Sequence, residues 1–289
     1  MRKFYLENET GSRTGLNGES GIRLSDPAGL GVSYGSTFAD LEEGFFIETK
    51  QKTPQAAPTG SLYFTSSAYQ RYQDFTDWVM AAKKLYLVYA PLNKEYYREV
   101  RLSYLTKTEL TATKWLEVPM ELDCLTPWYL PTPLALNFAS DADTAMRYEY
   151  TYDDALVYGE RSGGAYSVEI PARGHVPAAL RVTYAGAAAD IEISLTGRVS
   201  GRVYGRCKIS GDIAATDTLE LYTGKRDSYV KKTAANGMET DLLYAGMVDI
   251  TAEPFFRAPV DEASILALTG VGTLSGAVAA QAYFYYRSV

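Results

Sequence analysis

Hydrophobic and polar residues alternate with a period of two over many short stretches of this chain. The strictest stretch spans residues 116–124, and its apolar positions are Leu116, Val118, Met120, Leu122 and Cys124. This pattern predicts a strand with one buried face, and Pro119 on the outward set indicates a sheet edge or a bulge. Further strands are predicted at 45–49, 85–89, 97–104, 166–170, 180–184 and 191–195. The chain is therefore predicted to be mainly β.

One stretch has the period of a helix instead. Between residues 69 and 84, apolar side chains recur at spacings of three and four, at Tyr69, Tyr72, Phe75, Val79 and Ala82. These positions share one helical face. The serines at 66 and 67 are candidate N-caps, and two lysines close the segment. We predict a single amphipathic helix that packs across a sheet.

Prolines divide the chain near its middle. Three of them fall within residues 127–133, where they are expected to stiffen the backbone and to block strand pairing. We therefore predict one domain over residues 1–130 and a second over residues 134–289. The second half shows repeated short strands between turn residues and no strong helix, which is typical of a β-sandwich or barrel.

Charge and composition exclude several classes of protein. The 289 residues carry a net charge of −7, and no run of Lys or Arg exceeds two residues, so sequence-specific nucleic-acid binding is not expected. The N-terminus lacks a secretory signal, and no apolar stretch approaches the roughly 20 residues of a membrane span. We expect no membrane insertion and synthesis in the cytoplasm. The 24 tyrosines fit either half-buried strands or interfaces, and the sequence does not separate the two.

A search for catalytic chemistry is negative. Cys124 and Cys207 lie in alternating apolar patterns and are interpreted as small buried hydrophobes, although the sequence leaves a disulfide open. The single histidine, His175, lies in a predicted turn, and four zinc ligands are not available. The glycine-rich residues 270–276 lack a phosphate-loop ending, so a hairpin between the last two strands is predicted there. We assign no catalytic, cofactor-binding or metal-binding residue.

The aspartates do not indicate a calcium site. The candidates Asp153, Asp154, Asp212 and Asp217 do not have the spacing of a calcium-binding loop. A pair of carboxylates for glycoside hydrolysis is always conceivable among 35 acidic residues, so their presence carries little information.

The order of segments in the first half resembles the distal tail proteins of siphophages, the phage tail-component family. The segments that carry this resemblance are 4–8, 26–31, 69–75, 85–89, 95–100, 107–109 and 126–129. They cover most of residues 1–130. Residues 177–182 and 219–222 are similar to the galectin-like C-terminal domain of that family.

The resemblance implies both a fold and a function. The fold is an N-terminal β-sandwich or split barrel with one α-helix, followed by a galectin-like β-sandwich. The function is structural and not enzymatic: six copies form a ring that joins the tail tube protein to the tail-tip hub, and receptor-binding proteins are candidates for attachment to the rim. The protein would reside in the virion and need no cofactor. The residues of the ring interface stay unassigned.

Two other classes of function stay open at this stage. A carbohydrate-binding adhesion module would place solvent-facing aromatic rings in one groove of residues 134–289. A glycosidase would need two carboxylates facing one cleft at roughly 5–10 Å.

Overall fold

The computed structural model describes residues 2–139, 164–271, 274 and 276–289. Antiparallel strands dominate it, and the prediction of a mainly β protein is confirmed. The chain divides into two units, of which the first comprises Met1–Leu130 together with Tyr285–Val289 and the second comprises Pro131–Phe284.

The first unit contains ten strands and one helix, and its last strand continues into the second unit. In chain order the elements are β1 (Lys3–Asn8), β2 (Arg13–Gly15), β3 (Ile22–Ala28), β4 (Gly35–Glu42), β5 (Phe45–Lys52), β6 (Thr59–Phe64), α1 (Ala68–Ala81), β7 (Leu85–Ala90), β8 (Tyr96–Leu105), β9 (Leu116–Cys124) and β10 (Trp128–Leu134).

Seven of these strands form a barrel. Their hydrogen-bonded order is β3-β6-β9-β8-β7-β1-β2, and β8 pairs with β7 through its first half and with β9 through its second. The Leu16 N–H donates to the Phe4 carbonyl, and the Leu24 N–H donates to the Leu16 carbonyl, both at 2.9 Å. These bonds link β1 back to β3, so the circuit of strands closes and leaves few free edges.

The alternation in β9 sets its buried face. All five apolar residues of the strand are buried in the core of the unit. The predicted edge position is wrong, because β9 pairs with β6 on one side and with β8 on the other. Pro119 is tolerated because the β8–β9 register ends at the Leu105–Met120 pair, so no partner in β8 needs its missing N–H.

Helix α1 covers the core as predicted, but its limits differ. It buries Ala68, Phe75 and Val79, and the Phe75 ring lies 5.8 Å from that of Phe64. Tyr69, which was predicted to lie on the buried face, is exposed. Ser67, one of the two predicted candidates, occupies the N-cap position, but its backbone is left-handed and its side chain makes no capping bond.

The C-terminal end of α1 is not closed by the two lysines as predicted. The helix stops at Ala81, before the two lysines. The backbone N–H groups of Lys84 and Lys83 each donate to Glu9 Oε2 at 3.1 Å. These bonds hold the pKa of Glu9 below its ordinary value.

The second unit consists of two antiparallel sheets. Its strands are β11 (Asn137–Ala139), β12 (Ala165–Ile170), β13 (Val176–Ala185), β14 (Ala188–Gly197), β15 (Val203–Ile213), β16 (Thr218–Tyr222), β17 (Tyr229–Thr233), β18 (Glu239–Asp241), β19 (Ser264–Val271) and β20 (Ala277–Tyr286), with a short 3-10 helix at Ile250–Ala252. One sheet has the order β11-β12-β19-β14-β15, and the other runs β18-β17-β16-β13-β20.

Each of these sheets buries one face. Alternate residues are inaccessible in both, such as Ile191 and Ile193 in β14 and Leu180 and Val182 in β13. The architecture is therefore two layers of strands around an apolar core. The finer prediction of a galectin-like sandwich stays a prediction.

Two local predictions in the second half are corrected by the sheet topology. Strands β19 and β20 belong to different sheets, so the connection through residues 270–276 is not a hairpin; residues 272, 273 and 275 lie outside the described part. The prolines at 131 and 133 do not prevent pairing, because they lie inside β10. Backbone N–H groups two residues apart point to the same side of a strand, so both prolines remove donors from one edge only.

Candidate assembly surfaces

A long hairpin leaves the barrel between β3 and β6. Its base is held by the barrel: the Trp128 Nε1–H donates to the Leu30 carbonyl at 3.1 Å, and the Cys124 N–H donates to the Ala56 carbonyl at 3.0 Å. Gly29 has φ of +74°, and a Cβ there would lie 2.8 Å from the Ala57 carbonyl oxygen, so this exit requires glycine. Strands β4 and β5 pair only with each other. We call residues 31–54 the arm.

The arm exposes large apolar side chains on an otherwise solvated hairpin. No residue of the arm is buried. The exposed fractions are 59% for Phe38, 68% for Phe45, 65% for Phe46 and 51% for Ile47. Because an isolated two-stranded hairpin is marginally stable in water, these side chains indicate a surface that another protein covers.

The two faces of the arm differ from each other in chemistry. Ala39 and Ile47 are opposite each other on one face, whereas Phe38 is opposite Glu48 on the other. At the tip, Glu42 and Glu43 have φ of +110° and +53°, a conformation that L residues rarely adopt. Three acidic residues, Asp40, Glu42 and Glu43, lie at or beside this tip.

A second group of exposed apolar side chains lies on α1 and on the connection between β8 and β9. Tyr69, Leu110 and Trp115 are 40–43% exposed, and we call these three residues the side patch. Tyr69 donates to Glu109 Oε2 at 2.5 Å, and Lys107 Nζ lies 5.0 Å from the centre of its ring. The side patch thus combines apolar side chains with one cation and one carboxylate beside them.

An ionic cluster on the first unit is fully engaged within the fold. Arg13 donates to Glu95 Oε1 and Oε2 at 3.1 and 2.9 Å and also pairs with Glu7. The bonds between Arg13 and Glu95 lower the pKa of Glu95 and raise the pKa of Arg13. Burial raises the pKa of Tyr97 to about 12. The cluster holds β1, β2 and β8 together. A general acid in glycoside hydrolysis needs a raised carboxyl pKa, whereas that of Glu95 is lowered, so the cluster does not suit this reaction.

The residues considered for chemistry are not brought together. Cys124 and Cys207 are free and buried, and burial raises their thiol pKa values to about 11 and about 12, so neither is an activated nucleophile. His175 is exposed in the segment before β13. Within residues 2–139 and 164–271, no three His, Cys, Asp or Glu side chains gather as a metal site. Asp153 and Asp154 lie outside the described residues.

No helix in the described part of the chain has the length and apolar character needed to cross a membrane. The arm is the surface that sequence reasoning missed. A strand was predicted at 45–49, but its partner was not. The sequence signal that could have predicted this hairpin is the pair of apolar segments on the two sides of the turn at Glu42, Glu43 and Gly44.

The chain is similar in fold to solved phage proteins. The protein superposes over the full length of both chains on a chain of the phage P2 baseplate in its activated conformation. The TM-score is 0.71 for the calcium form and 0.70 for the strontium form, and the identity is 13% in each case. It also superposes on the Dit protein of phage SPP1, which is described as a paradigm of the hub adsorption apparatus in phages that infect Gram-positive bacteria. That match has a TM-score of 0.56 and 10% identity, and it covers 97% of this chain and 98% of the other.

Sequence comparison identifies the first unit more closely. Residues 3–125 match the family model of the distal tail protein, N-terminal domain. No curated protein matches the chain in sequence. Residues 3–125 thus match the N-terminal domain of distal tail proteins, and the predicted resemblance of the chain to phage distal tail proteins is confirmed.

Proposed function

We propose that this chain is a structural, non-enzymatic ring subunit of the distal tail. Six copies form a ring through residues 1–130, and the ring joins the tail tube protein to the tail-tip hub. Residues 134–289 form an outward, galectin-like domain, and receptor-binding proteins attach to the rim of the ring. The chain is made in the host cytoplasm and incorporated into the virion. Similarity to a baseplate chain and to a hub protein supports this assignment.

The exposed arm is the observation that carries the proposal. Burying one Phe or Ile side chain contributes about 1.5–3 kcal/mol, and Phe38, Phe45, Phe46 and Ile47 are all more than half exposed. In an isolated copy of the chain these side chains face water and do not contribute this stabilisation. In a ring, the next copy can cover the arm of each copy, so burial of these side chains stabilises the assembly.

A closed ring needs two different faces that meet. We propose the side patch as the face that receives the arm of the neighbouring copy. Both surfaces are apolar, and Lys107 beside the side patch has the charge opposite to that of Glu42 and Glu43 at the tip of the arm. Opposite charges at an interface guide association and disfavour other orientations.

Replacement of the arm's apolar side chains tests the proposal. Phe38, Phe45, Phe46 and Ile47 are replaced together by threonine, which keeps a high strand propensity. Native mass spectrometry and electron microscopy are expected to find six-membered rings for the unaltered chain and monomers for the variant. The far-UV circular dichroism melt of the barrel is expected to stay unchanged.

Control variants separate the arm from exposed apolar residues in general. Met80, Leu92 and Val199 are 75–88% exposed and lie outside both surfaces, so their replacement by threonine should leave assembly intact. Replacement of Leu110 and Trp115 by serine should prevent assembly if the side patch is the acceptor. The proposal fails if the unaltered chain stays monomeric with tail tube protein present, or if the arm variant still forms rings.

A further inference from the structure

The turn between β17 and β18 contains an asparagine followed by a glycine. Asn236, Gly237 and Met238 are all exposed, and φ of Gly237 is +81°. The Ala234 N–H donates to the Met238 carbonyl at 2.9 Å, and the Gly237 N–H donates to the Ala234 carbonyl at 2.8 Å. These bonds close a tight turn in which glycine supplies the left-handed backbone that other residues rarely adopt.

The side-chain amide of Asn236 lies against the peptide group that follows it. Its Oδ1 accepts a hydrogen bond from the Met238 N–H at 3.0 Å. A bond of this kind holds an asparagine side chain to the backbone two residues further on. The same N–H donor stabilises the negative charge that develops on Oδ1 when a nucleophile attacks Cγ. The turn therefore prepares the Asn236 amide for attack from the backbone.

The surroundings of this turn leave room for the reaction. A Cβ added at Gly237 would have no heavy atom within 4 Å. The Gly237 N–H must leave its bond to the Ala234 carbonyl before it can lose its proton. Because residues 235–239 are all exposed, water and hydroxide can reach this bond and open it locally.

We propose that Asn236 is a site of spontaneous deamidation. The Gly237 nitrogen, after loss of its proton to hydroxide, attacks Asn236 Cγ, and a new N–Cγ bond closes a cyclic imide. The Cγ–Nδ2 bond breaks, and the amide nitrogen takes up a proton and leaves as ammonia. Water then adds to one of the two imide carbonyls and opens the ring, which yields aspartate or isoaspartate. Water is the only co-reactant, and nothing is oxidised or reduced.

A second Asn-Gly pair in the chain is held in a way that opposes the same reaction. Asn17 Oδ1 accepts from the Phe4 N–H at 2.8 Å, and Asn17 Nδ2 donates to the Phe4 carbonyl at 3.0 Å. Both ends of this amide are therefore fixed to β1. Asn17 is also half-buried, whereas Asn236 is exposed. The structure thus distinguishes two sites that have the same dipeptide sequence.

Deamidation at Asn236 changes an edge of the second unit. It adds a carboxylate to the turn beside Glu239, whose Oε1 lies 2.9 Å from Lys231 Nζ. Isoaspartate also lengthens the main chain by a methylene group, which disrupts the hydrogen bonds that close the turn. Strand β18 has three residues and lies at the end of its sheet, so its pairing with β17 is expected to loosen. The inference is independent of ring formation by the first unit.

Incubation of the full chain in mildly alkaline buffer tests this inference. Peptide mapping by mass spectrometry measures deamidation at Asn236 and Asn17 in the same sample. In the folded chain Asn236 should react at least about tenfold faster, because ring closure at Asn17 requires the loss of both amide bonds to β1. In concentrated urea, where these bonds are absent, the two sites should react at rates within about threefold of each other.

A matched variant links the chemistry to the structure of the turn. Asn236→Gln keeps the amide, but its longer side chain closes the imide ring poorly, so this variant should stay unmodified at residue 236. After incubation, amide hydrogen exchange at Thr233 and Glu239 should accelerate in the unaltered chain and stay unchanged in Asn236→Gln. The inference is overturned if Asn236 stays intact in the folded chain while it reacts in urea, or if both asparagines react equally in the folded chain.

Discussion

Replacement of Trp128 by phenylalanine should destabilise the first unit. Trp128 is completely buried, its Nε1–H donates to the Leu30 carbonyl at 3.1 Å, and its ring lies 5.4 Å from the Arg98 guanidinium. Loss of the hydrogen bond costs about 1 kcal/mol. The smaller ring leaves a cavity of roughly 40 Å³, which at about 24 cal/mol per Å³ costs about 1 kcal/mol more.

The expected total for Trp128→Phe is therefore about 2 kcal/mol, which should lower the melting temperature of the first unit by about 8 °C. Urea unfolding followed by far-UV circular dichroism, with calorimetry, measures both quantities. The hydrogen bond also ties the base of the arm to the barrel. Amide hydrogen exchange near Leu30 should therefore accelerate more than exchange in β9.

A second tryptophan provides the control for Trp128→Phe. Trp115 is 43% exposed, and Trp115→Phe should change stability by less than about 0.5 kcal/mol. Equal effects of the two substitutions would refute the reasoning, because the argument depends on burial and on the bond to Leu30. An unchanged exchange rate at Leu30 would refute the role of Trp128 in holding the arm.

Two further predictions follow from titratable groups. Because burial raises the thiol pKa values of Cys124 and Cys207, a thiol reagent at about pH 8 should react with neither in the folded chain and with both in denaturant; rapid labelling of the folded chain would contradict this. Hydrogen bonds from Ser200 and Tyr204 lower the pKa of Glu262 from 4.5 to about 2, so its ionised form stabilises the fold above pH 4.5, and that contribution is lost as the pH falls towards 2. The urea midpoints of the unaltered chain and Glu262→Gln should therefore converge as the pH falls from about 4.5 to about 2, and a constant difference would contradict the assignment.

The positions of most strands could be predicted because alternation is a local property. In β9 each residue points to the face opposite that of its neighbours, so the buried set from Leu116 to Cys124 can be identified without knowledge of the partners. The core face of α1 was predicted for the same reason at Phe75 and Val79. Burial of Cys124 and Cys207 also followed from the pattern.

Pairing could not be predicted in the same way. Pro119 indicated an edge or a bulge, but the end of the β8–β9 register, set by residues far away in the chain, makes the proline acceptable in a strand with partners on both sides. The glycine-rich segment between β19 and β20 indicated a hairpin, yet the two strands enter different sheets. Turn residues permit a change of direction and do not specify which strand follows as a neighbour.

The candidate surfaces depend even more on tertiary structure. Phe45 and Phe46 have the composition of a buried strand, and only the pairing of β4 with β5 away from the barrel leaves them exposed. The two Asn-Gly pairs are equivalent in sequence, and only the bonds from Asn17 to Phe4 distinguish Asn17 from the exposed Asn236. Sequence by itself determined the strands, the helix and the family resemblance, since these depend on neighbouring residues. Tertiary structure decided which surfaces stay open to partners, because exposure depends on contacts between strands that are distant in the chain.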